Sequence, residues 1–85
     1  MADITARERI QLQMHQERLG RELKAEMVLK DVTVSAVADA MGLSNRTSLS
    51  QYLGGTRLWA AGLEDFKDRV QEGIGAATQA KVNAA

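Results

Sequence analysis

Within residues 45 to 51, Asn45, Arg46, Thr47, Ser48 and Gln51 carry the hydrogen-bonding groups needed to read base-pair edges. Arginine donates two hydrogen bonds to guanine, and asparagine or glutamine pairs bidentately with adenine, so Arg46, Asn45 and Gln51 are candidate base readers. Thr47 and Ser48 suit a phosphate, a base edge or a thymine methyl. If the block opens a helix, its free amides and the positive end of the dipole also favour a phosphate. Ser35 and Arg57 lie outside the block and suit backbone contacts, although a lone surface arginine is equally at home in solvent. No comparable set supports catalysis. The chain has no cysteine and one histidine, His15, with no second metal ligand at useful spacing. No glycine-rich loop follows a strand, no carboxylates pair in an apolar setting, and Gly54-Gly55 is too short for a nucleotide loop. The expectation is a non-enzyme with no metal and no cofactor.

Such a block needs a helix to carry it and a core to hold it out. Proline is absent, so nothing forbids helix anywhere. Thr5 with Glu8 has the form of a capping box, with Asp3 as a competing cap. A helical pattern then runs to about Lys30, with Gly20 as a point of weakness or bending. Leu12, Leu19, Leu23 and Met27 share one face, while Ile10, Met14 and Val28 fall on roughly the opposite one. That second stripe is either packed locally or meets another copy of the chain. Thr33 can cap a second helix over about Val34 to Met41. Ser44 or Asn45 can cap a third, with Leu49, Tyr52 and Leu53 as its apolar face and Gly54-Gly55 as its end. A fourth segment between Thr56 and Gly73 presents Leu63, Phe66 and Val70. Trp59 is either an interface anchor or core packing. The stretch from Gly73, small and low in complexity, reads as a flexible tail or linker, so the domain is expected over residues 1–72 and the tail over 73–85.

Length and composition agree with one small all-α domain of four to five helices. No apolar run approaches the ~18 residues that span a membrane, and the first residues lack a signal-peptide layout, so a cytoplasmic protein is expected. Eleven basic residues balance eleven acidic ones, which by itself argues against a nucleic-acid partner. The distribution is uneven, however. Between Asp39 and Glu64 there is no acid, and Arg46 and Arg57 lie inside that interval.

Ala38, Gly42 and Leu43 describe a small residue at a close crossing, a tight turn and a plug returning to the core, the helix-turn-helix unit. A plain helical hairpin with Gly42 as its C-cap is the simpler reading of the same residues. With Val37-Ala38-Asp39, Met41-Gly42 and Leu53-Gly54-Gly55, "TVSAVADAMGLS" resembles the lambda-repressor-like (XRE-type) helix-turn-helix domains. "TSLSQYLGGT" is similar to the close of their recognition helix, and to that in the N-terminal helix-turn-helix of phage Mu B-like transposition ATPases. The likeness covers about residues 20 to 72. It implies a lambda-repressor-like bundle in which Asn45, Arg46 and Gln51 occupy base-contacting positions. The chain departs from the family pattern at two points. Val34 stands where these repressors often carry glutamine, and one extra residue separates Gly42 from Leu49.

These features lead to the expectation of a sequence-preferring double-stranded DNA-binding protein, a small phage or plasmid-type transcriptional regulator reading through residues 45–53. One helix reads few base pairs, so a homodimer through the N-terminal helix is the expected complement. The alternatives are the DNA-targeting domain of a transposition ATPase and a helical protein-interaction module that binds no nucleic acid.

Overall fold

The computed structural model describes residues 5–84 and is all-helical, with no strand among those residues. Four helices follow in order: α1 (Ala6–Leu29), α2 (Val34–Ala40), α3 (Arg46–Leu53) and α4 (Leu63–Ala84). Three begin with a side-chain cap. The Glu8 amide donates to Thr5 Oγ1 at 3.2 Å, the Ala36 amide to Thr33 Oγ1 at 3.0 Å, and the Ser48 amide to Asn45 Oδ1 at 2.9 Å. Asp3, the competing cap, lies outside the described residues.

The same three helices end alike. In each, the residue after the C-cap takes a left-handed conformation: Asp31 (φ 55°), Gly42 (φ 77°) and Gly55 (φ 74°). The next amide then reaches back to a carbonyl in the last turn, Val32 to Met27 at 3.0 Å, Leu43 to Ala38 at 2.9 Å and Thr56 to Gln51 at 3.0 Å. This is the Schellman closure, which satisfies orphan carbonyls and turns the chain sharply. Asp31 adopts it without glycine's freedom, and the end of α4 braces it. Lys81 Nζ donates to the Asp31 carbonyl at 2.8 Å and also to its carboxylate. The ammonium holds the Asp31 carboxyl below the usual carboxylate range, through the hydrogen bond first and charge attraction second.

The core draws Leu23 and Met27 from α1, Val37 and Ala38 from α2, Leu49 and Leu53 from α3, and Phe66, Val70, Ile74 and Ala77 from α4. Helices α1 and α2 each pack on both α3 and α4. Two glycines set how closely. A Cβ on Gly20 would lie 1.9 Å from the Leu53 carbonyl oxygen, and one on Gly73 would lie 2.7 Å from Met41 Cγ. Gly20 therefore marks a close crossing of α1 and α3 rather than a bend, and α1 runs through it unbroken.

The stretch from Gly73 differs most from its expectation. It is the second half of α4, not a flexible tail, and it buries Gly73, Ile74 and Ala77. Alanine is the strongest helix former, so a run of small residues that reads as a linker folds as helix once Ile74 has a core to enter. Leu58-Trp59 lies in the loop before α4, outside any helix.

Candidate nucleic-acid interface

The turn between α2 and α3 runs through Met41, Gly42, Leu43 and Ser44 to Asn45. Gly42 supplies the positive φ, and Leu43 packs half-buried against the core. Helix α3 then divides cleanly. Leu49 and Leu53, four residues apart, are buried at 0% and 1% exposure. Thr47 and Gln51, also four apart and on the opposite side, are exposed, as are Asn45 and Arg46 at the helix start. Ser48 is half-buried. Helix α3 starts at Arg46, and Leu49 rather than Ser48 enters the core.

Asn45 is placed differently from a free reading group. Its Oδ1 accepts both the Ser48 amide at 2.9 Å and the Ser48 hydroxyl at 3.3 Å. Bidentate pairing with adenine needs that oxygen as well as the amide NH2, so only the NH2 donors remain for a ligand. Asn45 and Ser48 form one bonded pair at the helix start. Arg46 and Arg57 make no ion pair among the described residues, as the acid-free interval leads one to expect. Ser35 is exposed in the first turn of α2 and makes no hydrogen bond to the other candidates.

Arg57 is tethered by two contacts to α3 and one to α1. Its amide donates to the Gln51 carbonyl at 3.3 Å, its carbonyl accepts from Gln16 Nε2 at 2.6 Å, and its guanidinium lies 5.0 Å from the Tyr52 ring centroid. The last is cation–π geometry. An arginine so held presents its charge from a defined place beside α3.

Gln16 is the residue sequence reasoning missed. It is 1% exposed and makes three hydrogen bonds. Its Nε2 donates to the Tyr52 carbonyl at 2.7 Å as well as to Arg57, and its Oε1 accepts the Trp59 amide at 2.9 Å. One amide group thereby fastens α1 to the end of α3 and to the loop that follows. The signal was present: Gln16 interrupts the apolar face that carries Leu12, Leu19 and Leu23, and a polar side chain inside such a stripe must find buried partners. Gly55 closes the same junction, since a Cβ there would meet the Gln13 carbonyl at 2.5 Å.

Trp59 belongs to the packing, not to an exposed anchor. It meets Tyr52 edge-on at 4.8 Å and Phe66 at 5.6 Å, and its Nε1 donates to Asp65 Oδ2 at 2.7 Å. Among the described residues no three His, Asp or Glu side chains gather where they could hold a metal ion, and no helix is long and apolar enough to cross a membrane. In comparison with known proteins, no protein-family model matches the chain, and no curated protein or solved structure matches it. What the molecule does is therefore read from its own residues.

Proposed function

We propose that this chain binds double-stranded DNA with sequence preference, inserting the start of α3 into the major groove, as a small phage or plasmid-type transcriptional regulator of lambda-repressor-like build. The observation that carries this is the exposed polar side of α3, with Arg46, Thr47 and Gln51 facing away from Leu49 and Leu53 and no carboxylate among the described residues neutralising Arg46. Arg46 donates to guanine and Gln51 pairs with adenine. Asn45, its oxygen engaged in the cap, donates through its NH2 to a phosphate or a base acceptor. Thr47, Ser48, Ser35 and Arg57 set the backbone register. A dimer on half-sites ~34 Å apart supplies the length of sequence that one helix cannot read.

The test is binding to random duplex across a salt series. On this reading log K falls linearly with log salt, at a slope of ~−0.9 for each phosphate contacted. Only Arg46 and Arg57 carry positive charge in the acid-free interval, so the count expected is small. A second reading, a protein-interaction module, is favoured by that same charge balance and by the exposure of Ile10 and Met14 on α1. It predicts no retention on duplex even at low salt.

A further inference from the structure

The first turns of α1 stand clear of the bundle, every residue from Thr5 to Gln11 being exposed. Ile10 and Met14 are 56% and 62% exposed there, one turn apart, while the other exposed large apolar side chains of α1, Val28 and Leu29, lie at its far end. An unsupported helix end of this length is marginal in water, and two apolar side chains on it form a face that needs a cover. Arg7, Ile10, Met14, Glu17 and Arg21 follow the alternating three- and four-residue spacing that places them in one row. That row borders a groove whose far wall is Gly54, Gly55 and Thr56.

We propose that this row is the homodimer contact, and that two copies of α1 cross antiparallel at a point midway between Ile10 and Met14 along the helix. Charge selects both the occupant and its direction. Antiparallel pairing about that point sets Ile10 of one copy against Met14 of the other, twice, and Arg7 against Glu17, twice. Parallel pairing would set Arg7 on Arg7, Glu17 on Glu17 and Arg21 on Arg21, each a like-charge contact. Within one copy, Arg21 Nη2 already donates to Glu17 Oε1 at 2.8 Å. The second carboxylate oxygen of Glu17 remains for the partner's Arg7. This specifies the homodimer of the proposed function, but it uses no property of the DNA-reading face and holds or fails without DNA.

Sedimentation equilibrium of the full chain, free of DNA, tests it with two charge reversals, at exposed Arg7 and half-buried Glu17. Arg7→Glu alone and Glu17→Arg alone each place two like-charge pairs in the antiparallel contact. Each weakens self-association roughly tenfold while circular dichroism shows the fold retained. An equimolar mixture of the two variants restores association to about the level of the unaltered chain, because each mixed dimer regains two opposite-charge pairs. Because the chain has no cysteine, Ile10→Cys and Met14→Cys report direction directly. Mild oxidation of their mixture favours the mixed disulfide over either homodimeric one. A chain that stays monomeric at all concentrations overturns the proposal. So does charge reversal without effect, or a preference for the two homodimeric disulfides.

Discussion

Arg46 and Asn45 are neighbours with different duties, and substitution separates them. Arg46 is exposed and makes no ion pair among the described residues, so Arg46→Ala should leave thermal stability within ~0.5 kcal/mol. Binding to the preferred duplex should weaken by ~1–3 kcal/mol, with specificity relaxed at a single base position. Competition assays against single-base variants of the site read this directly, and equal weakening across all sequences would assign Arg46 to the phosphates. Asn45 carries a structural bond, so Asn45→Ala should lose ~0.5–2 kcal/mol of stability with its cap. Asn45→Asp keeps an acceptor for the Ser48 amide while setting a negative charge on the proposed DNA face. It should leave the melting temperature near its starting value and lower duplex affinity most at low salt. Gln16 lies far from that face in sequence yet fixes its support. Gln16→Leu would strip bonding partners from the Tyr52 and Arg57 carbonyls and the Trp59 amide, at a cost of ~2–4 kcal/mol in urea denaturation.

Two glycines of α1 and the α2–α3 turn show how differently the helices depend on the same residue type. At Gly42 nothing lies within 4 Å of an added Cβ, so the penalty there is backbone strain at φ 77°. Gly42→Ala should cost ~1 kcal/mol, and Gly42→Val more, because β-branching worsens the left-handed conformation. At Gly20 the conformation is ordinary helix but the space is gone. Gly20→Ala should cost ~3 kcal/mol by forcing α1 from the end of α3, and calorimetry should rank it well below Gly42→Ala in stability. Much of this arrangement was legible in the sequence. The caps at Thr5 and Thr33, a third at Ser44 or Asn45 that the structure places on Asn45, the turn at Gly42, and the buried pairs Leu23–Met27 and Leu49–Leu53 all follow from local rules of spacing and hydrogen bonding. What was hidden depends on neighbours distant in the chain. Gly20 looks like a weak point until Leu53 is brought against it, and Gln16, marked by its place in the apolar stripe, finds its partners only when Tyr52, Arg57 and Trp59 are brought against it. Helix α4 beyond Gly73 reads as a linker because only Ile74 marks its buried side strongly.

Across the whole molecule, a balanced formal charge conceals a division of labour. The long axis is 49 Å against 21 Å and 20 Å across, and α1 alone accounts for ~36 Å of helix at ~1.5 Å per residue. One end of α1 carries the proposed pairing row, and its middle grips the end of α3 through Gln16, Gly20 and Gln13. A rigid path thus connects the contact between two copies to the orientation of the helix proposed to read DNA. Among the described residues the carboxylate side chains lie on α1, α2 and α4 and in the Asp31 turn, while the segment from Ala40 to Leu63 carries only basic charge. Selection of bound duplexes from a random pool tests the DNA-reading claim most directly. The account predicts enrichment of a short motif repeated with two-fold symmetry about one helical turn apart, with one position of each half losing its preference in Arg46→Ala. Recovery of duplexes no different from the starting pool, with no retention at low salt, would contradict it.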